Sequence, residues 1–390
     1  MNRANLASLT VFTAGLFSAS LFCAGCGDGD LTGSGGSGTT SETGGSGATG
    51  AMGGSGGAGA TGGMGGAGAT GGAGGSGATG GTGGAGATGG TGGSEPAVFL
   101  DKYPLNAQYP EGGIYDSVDH AFYVGSIGDG SVHRVNAATG EETILFEESD
   151  PGDYWTLGMA VDEQRRRLWV CAMEDLSGTG QDPAYDGYVW VFDLDLGERV
   201  ANFPLSDADP EGTCTDLTLT SDGDAYVVDR DFGNVYRVNI DTGASLFAAD
   251  SILEAAFVGQ NAAITLPDES AIIVAIYLPS RLARVDLTDG SVLDIDISGD
   301  FADAAFLAGA DGMVYADGDL YVTFSSELVK VSPLLGDWSS VVATAVDVPE
   351  GMTDVVHTPA GNYLLNGQAI RYALGQDPEP FALVRFTGAL

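Results

Sequence analysis

The chain has 390 residues, 64 of them glycine, and a formal net charge of −39 at pH 7. Nucleic acid and anionic lipid surfaces are therefore poor partners, because they would repel so acidic a protein. The acidic residues lie almost entirely after the first quarter of the chain, where a solubility role, for example in salty surroundings, is the simplest interpretation.

Residues 1–26 have the pattern of an export signal, with a basic start at Arg3, an apolar stretch and the ending "CAGC". This ending resembles the lipobox of bacterial lipoproteins, in which Cys26 would receive the lipid. A plain signal peptide, with Cys26 incidental, is the alternative. The resemblance implies an exported protein that contacts the membrane only through its lipid anchor. Gly27, rather than aspartate, after the lipidated cysteine implies delivery to the outer membrane.

Residues 27–95 consist mainly of Gly, Ala, Ser and Thr, which cannot bury enough apolar surface to offset the entropy cost of ordering. We expect a flexible linker. Glycine recurs at every third position from Gly44 to Gly92, as a collagen triple helix requires, but this segment lacks proline. Duplication of short repeats is the simpler explanation, so a monomer is expected rather than a trimer.

From residue 96 to residue 390 the sequence repeats one pattern six times, and each copy supplies four short strands separated by Asp- and Gly-rich turns. The copies begin at about residues 111, 157, 215, 260, 310 and 353. Turns such as "SDGD", "ADGD" and "PAGN" place Gly, Asp and Asn where tight hairpins need them. The pattern predicts an all-β, six-bladed β-propeller without helices. Residues 97–103, a strand without a blade of its own, are expected to complete blade six.

The innermost strand of each blade begins near one mouth of the central channel, so the six strand starts are expected to form a ring. Five of the six starts carry a side-chain oxygen. The residues at these starts are Glu111, Gly158, Thr215, Asp216, Asn261, Asp311, Thr353 and Asp354. Converging carboxylate and amide oxygens predict a site for a hard cation such as calcium. Alternatively, Asp and Asn at strand starts cap local turns.

The stretches "PEGGIYD", "GQNAAITLPDE" and "GADGMVYADGDLYV" resemble strand starts of the SMP-30/gluconolactonase family of six-bladed propellers, and the resemblance extends over the chain from Pro96 onward. It implies one divalent cation, usually calcium, bound by Glu111, Asn261 and Asp311, and hydrolysis of lactones. In the mechanism implied, the cation polarises the carbonyl while Asp216 or Asp311 activates water. Thr215 stands where the family has a further asparagine, a departure that bears mainly on substrate binding.

Outside the signal, Cys171 and Cys214 are the remaining cysteines, and no Cys or His spacing is typical of a zinc site. We expect Cys171 at the end of the second strand of blade two and Cys214 just before the inner strand of blade three. Both would then lie near the same mouth. In an oxidising compartment a disulfide between them is possible, and free thiols are the alternative.

Three further features have structural interpretations. His357 is expected on the inner strand of blade six as a structural histidine, the "QRRR" stretch at 164–167 as a solvated turn, and the four tryptophans as packing between blades. No glycine-rich phosphate loop precedes a helix, which argues against nucleotide chemistry.

Two functional hypotheses follow. The protein is a metal-dependent hydrolase of small lactones or esters, or it is a non-catalytic propeller that binds a ligand or a protein partner at its channel mouth. The insertion at 174–187 would overhang that mouth in either case.

Overall fold

The structure is a computed structural model that describes residues 97–147, 154–175, 185–255, 259–301 and 309–388. The predicted signal, the lipidation site Cys26 and the predicted linker lie outside these ranges, as does most of the predicted blade-two insertion. Within the described residues no helix is long and apolar enough to cross a membrane.

The described strands form six sheets arranged as the blades of a propeller, which confirms the predicted fold. The first strand, β1 (Lys102–Pro104), belongs to the last blade. Blade one contains β2 to β5, at Gly113–Asp116, Ala121–Gly125, Val132–Asn136 and Glu142–Phe146. Blade two contains β6 to β9, at Tyr154–Asp162, Arg167–Asp175, Tyr185–Asp193 and Glu198–Pro204. Blade three contains β10 to β13, at Asp216–Leu219, Ala225–Val228, Asn234–Asn239 and Gly243–Ala249.

The other three blades have the same antiparallel order, except that blade five gains a parallel strand, β18, and blade six is completed by β1. Blade four contains β14 to β17, at Gln260–Thr265, Ala271–Ile276, Arg281–Asp286 and Val292–Asp294. Blade five contains β18 to β22, at Asp296–Gly299, Met313–Ala316, Asp319–Phe324, Glu327–Pro333 and Ser340–Asp347. Blade six contains β23 to β25, at Met352–Thr358, Gly361–Asn366 and Ala382–Arg385, together with β1.

The ring closes as the sequence predicts, because β1 pairs antiparallel with β25 and supplies the fourth strand of blade six. Tyr103 holds this strand in place: its side chain is fully buried and its hydroxyl donates to the carbonyl of Ala137 in blade one at 2.7 Å. The first and last strands of the propeller thus lie side by side, and β1 is the outermost of the four strands of blade six.

The predicted hairpin turns are confirmed at the positions that need a left-handed backbone. Gly223 in "SDGD" has φ 93° and Gly361 in "PAGN" has φ 108°. Any other residue would be strained there, since its Cβ would clash with the local backbone.

Two predicted elements are wrong. The stretch "VLDIDI" at the end of the fourth copy of the repeat is split: β17 stays on blade four, and β18 pairs in parallel with β22 on blade five. Blade five therefore has five strands instead of the predicted four. The propeller was also predicted to lack helices, but the segment between β24 and β25 contains a short helix, α1 (Ala369–Ala373). A 3-10 turn also occurs at Leu205–Asp207. In each case, contacts between blades outweigh the local alternation.

The expected solvated turn at 164–167 is also wrong at one residue. Arg166 is only 16% exposed, and its guanidinium contacts Asp116 at 2.8 Å, Asp119 at 2.7 Å and Asp195 at 3.3 Å. Since Asp116 and Asp119 belong to blade one, Arg166 ties blade two to blade one on the side opposite the predicted cation site.

The tryptophans pack as predicted. Trp169 and Trp190 are fully buried in blade two, and Trp338 is nearly buried in blade five. Trp155 packs edge-on against Tyr372 of α1, with their ring centroids 6.0 Å apart.

Candidate functional site

The predicted strand starts surround one cavity in the channel. Its lining consists of Glu111, Gly112, Gly158, Thr215, Asp216, Asn261, Asp311, Gly312, Thr353 and Asp354. Every residue proposed from the sequence for the ring is present, and no Lys, Arg or His lines this cavity among the described residues. The cavity volume is about 30 Å³. About 10–15 Å³ is enough for one water molecule, so the cavity has room for one or two particles of that size.

The three predicted metal ligands meet in this cavity. Asp311 lies two residues before β19, and its Oδ1 accepts a hydrogen bond from Nδ2 of Asn261, the second residue of β14, at 2.5 Å. Glu111 lies two residues before β2, and its Oε2 is buried without a hydrogen-bond partner. These carboxylates therefore face the channel, and an oxygen of Glu111 remains free for a ligand.

Asp216 and Asp354 also point into the cavity, and each is fixed by the inner strand of the following blade. Oδ2 of Asp216 in blade three accepts the backbone N–H of Ala263 in blade four at 2.9 Å. Oδ2 of Asp354 in blade six accepts the backbone N–H of Gly113 in blade one at 2.8 Å. The alternative role of strand-start carboxylates as backbone caps is thus real for these two residues, although the caps join different blades.

Two glycines make room for these carboxylates. A Cβ on Gly158 would lie 1.9 Å from Oδ1 of Asp216, and a Cβ on Gly312 would lie 2.0 Å from Oδ1 of Asp354. Gly158, the one strand start without an oxygen ligand, therefore contributes to the site by lacking a side chain.

We call Glu111, Asp216, Asp311 and Asp354 the carboxylate ring. Burial raises the pKa of Glu111 to about 8 and the pKa of Asp216 to about 7. Burial also holds the pKa of Asp311 well above its ordinary value, and the charges of Glu111, Asp354 and Asp216 add to this effect. Burial and the charge of Asp216 raise the pKa of Asp354 in the same way. The four carboxyl groups are difficult to ionise at the same time, and a bound cation would relieve the repulsion between their charges.

The sequence reasoning left Asp354 without a role, although a signal was present. The dipeptide Thr-Asp occurs at 215–216 and again at 353–354, half a ring apart. In both copies the threonine carbonyl accepts the N–H of the glycine described above, at 2.9 Å. The two halves of the ring are therefore built alike.

The residues fit a hard divalent cation by the chemistry of their donors. The cavity offers carboxylate, amide and hydroxyl oxygens, which calcium prefers, and one buried carboxylate oxygen has no other partner. As the side chains stand, no group of three or more His, Cys, Asp or Glu residues in the described ranges is close enough to enclose a metal. Asn261 directs its amino group at Asp311, and rotation of the amide would present its oxygen instead.

The structure joins Cys171 and Cys214 in a disulfide with a Cα separation of 5.3 Å. Cys214 precedes β10 as expected, whereas Cys171 lies in the middle of β7 rather than at its end. The bond links the inner side of blade three to the second strand of blade two.

A Ser-His-Glu chain lies in blade one, away from the carboxylate ring. Oγ of Ser131 is 2.7 Å from Nε2 of His133, and Nδ1 of His133 is 2.7 Å from Oε1 of Glu142. This order of groups is that of a hydrolase triad. Ser131 is only 2% exposed, however, and Glu142 also accepts the backbone N–H groups of Asn106 and Ala107 that follow β1. We therefore interpret the chain of bonds as structural.

His357 has a local partner, as expected of a structural histidine. It lies on β23, and its Nδ1 is 2.8 Å from Oδ1 of Asn362 on β24.

The fold defines a six-bladed β-propeller, and it is similar to several solved structures at low sequence identity. The major allergen Mala s 1 of Malassezia sympodialis has a TM-score of 0.62 and 16% identity, over 74% of this chain and 96% of the allergen. The PQQ-bound aldose sugar dehydrogenase of Streptomyces coelicolor has a TM-score of 0.50 and 15% identity, over 73% and 96%. A luciferin-regenerating enzyme has a TM-score of 0.50 and 12% identity, over 74% and 95%. No protein-family model and no curated protein sequence matches the chain. These likenesses concern the fold, and chemistry must be argued from the site.

Proposed function

We propose that this protein binds one divalent cation, calcium by the nature of the donors, in the carboxylate ring. The observation that carries the proposal is the convergence of four carboxylates and one amide on a small cavity without a cationic side chain among the described residues. Four neighbouring acids with raised pKa values are costly to keep buried unless a ligand compensates them.

Glu111, Asn261 and Asp311 would hold the cation, in agreement with the resemblance to the SMP-30/gluconolactonase family. Glu111 offers an unpartnered buried oxygen, and Asp311 is held in position by Asn261. Asp216 is fixed through one oxygen by Ala263, which leaves Oδ1 facing the cavity.

We further propose that the site hydrolyses small lactones or esters. The bound cation would supply Lewis-acid polarisation of the carbonyl. A carboxylate oxygen of Asp216 or of Asp311 would take the proton from the attacking water. A volume of about 30 Å³ accommodates a cation with a water molecule rather than an organic substrate, so the substrate would approach from the mouth.

The same small cavity favours the second candidate function, a non-catalytic propeller in which the cation is structural and the mouth binds a ligand or a protein. The two candidates differ in turnover, not in cation binding. A lactonase requires an open coordination position next to the substrate, whereas a binder does not.

The cation site is tested by calorimetric titration of calcium into the full chain. The chain carries Cys26→Ala so that it cannot be lipidated. We expect one-site binding that is lost in the double variant Asn261→Ala, Asp311→Ala. Weak binding that is identical in both proteins would show uptake by the acidic surface only, and would reject the site.

Hydrolysis of a panel of γ- and δ-lactones and aryl esters, with and without EDTA, then separates the hydrolase from the binder.

We also propose that the protein is exported and anchored to the cell envelope through Cys26. The disulfide between Cys171 and Cys214 supports export, because such bonds persist in oxidising compartments. Labelling of bacterial cells with an alkyne fatty acid should mark the wild-type chain and leave Cys26→Ala unmarked. Equal labelling of both chains would contradict the anchor.

A further inference from the structure

Thr215 and Thr353 occupy equivalent places in the two halves of the ring. Each precedes a carboxylate of the carboxylate ring, and each carbonyl accepts the N–H of a glycine in the preceding blade at 2.9 Å. Both side chains are more than nine-tenths buried and both residues line the cavity. The backbone surroundings of the two threonines are therefore closely matched.

Their hydroxyl groups differ. Oγ1 of Thr353 donates to the carbonyl of Pro110 at 3.2 Å and lies 3.4 Å from the carbonyl of Leu365. Oγ1 of Thr215 is buried and has no hydrogen-bond partner. A buried hydroxyl without a partner is unfavourable, and such groups in native proteins call for an explanation.

The position of Thr215 supplies that explanation. The cavity that it lines also contains the other buried unpartnered oxygen of the ring, Oε2 of Glu111. A hydroxyl oxygen is a hard donor of the kind that binds magnesium or calcium. We propose that Thr215 Oγ1 is an additional oxygen ligand of the divalent cation, and that Thr353 has a purely structural role. This inference rests on the proposed function, since it requires a cation in the carboxylate ring.

The test compares Thr215→Val with Thr353→Val, because valine has the shape of threonine without the hydroxyl. Calcium is titrated calorimetrically into the full chain carrying Cys26→Ala. Thr215→Val should weaken calcium binding by about ten- to a hundred-fold, the effect of losing one bond to a charged group. Thr215→Ser, which keeps the hydroxyl, should bind within about threefold of the wild type. Thr353→Val should bind as tightly as the wild type, because its hydroxyl serves only the backbone.

Thermal unfolding in EDTA provides a readout that does not depend on the cation. Thr215→Val should be at least as stable as the wild type, since it loses an unpaired buried hydroxyl, whereas Thr353→Val should have a lower Tm. Equal calcium affinity in Thr215→Val and the wild type would overturn the inference and point to an ordered water molecule as the partner of the hydroxyl. Absence of calcium binding in the wild type would instead overturn the proposed function, and the ligand role of Thr215 with it.

Discussion

The carboxylate of Asp216 occupies the space that a side chain at position 158 would need: a Cβ on Gly158 would lie 1.9 Å from Asp216 Oδ1. The two residues belong to neighbouring blades, and their backbones are also joined, because the N–H of Gly158 donates to the carbonyl of Thr215 at 2.9 Å. Neither residue can move freely to relieve a clash.

Gly158→Ala should therefore displace Asp216 from the carboxylate ring. We expect a loss of about 1–3 kcal/mol in the free energy of unfolding, as is usual for overpacking at a well-packed position. Calcium affinity should fall as well if Asp216 contributes to the site. Gly336→Ala is the control, because a Cβ there meets no atom within 4 Å. Urea unfolding curves that coincide for the two variants would contradict the close approach.

The carboxylate ring should cost stability when no cation is present. At a pH above the raised pKa of about 8, where Glu111 is charged, Glu111→Gln removes one charge. Since Oε2 has no hydrogen-bond partner, the substitution should then increase the free energy of unfolding in EDTA by about 1–3 kcal/mol. Calcium should raise the Tm of the wild type more than that of Glu111→Gln, because stabilisation follows ligand affinity. The exposed Glu198→Gln is the control and should change neither quantity. A Glu111→Gln protein that is less stable than the wild type in EDTA would show that repulsion in the ring is already relieved.

The disulfide should stabilise the propeller by reducing the conformational entropy of the unfolded chain. It spans 43 residues, for which the loop-closure estimate is about 4 kcal/mol. Replacing Cys171 and Cys214 with serine together should lower the free energy of unfolding by about this amount, measured by urea without reductant. With dithiothreitol in excess, wild type and variant should unfold alike. Two reactive thiols from Cys171 and Cys214 in the denatured, unreduced wild type would show that the bond is absent.

Glu142 should make the ring closure sensitive to acid. Burial raises its pKa, but hydrogen bonds from His133 and from the backbone of Asn106 and Ala107 outweigh this and hold the pKa below its ordinary value of 4.5. A carboxyl whose pKa is lower in the folded state stabilises the protein above pH 4.5, and this contribution is lost as the pH falls through the folded-state pKa.

Glu142→Gln should accordingly be less stable than the wild type at pH 7, by about 1–3 kcal/mol for the lost bonds to buried groups. The difference should shrink as the pH falls below 4.5. Glu141→Gln, at the exposed neighbouring position, is the control and should track the wild type at every pH. A difference between Glu142→Gln and the wild type that is the same at pH 3 and pH 7 would exclude a role for the charge.

Much of the fold could be predicted because it is encoded by short-range signals. Each blade has strands of alternating polarity and turns such as that at Gly223, whose positive φ only a few residue types adopt readily. The closing strand was predictable by elimination, since a strand without a blade and a blade without a fourth strand must meet. The parallel strand β18 and the helix α1 were not, because their positions depend on neighbouring blades.

The candidate site shows the same division. The sequence by itself determined which residues begin the inner strands, and so placed Glu111, Asn261 and Asp311 at one end of the channel. Only the tertiary structure decided that Asp354 caps Gly113, a residue 241 positions away, and that Thr215 is unpaired while Thr353 is not. The physical reason is distance along the chain: periodicity and turn chemistry act over a few residues, whereas hydrogen bonds between blades depend on how the whole ring closes.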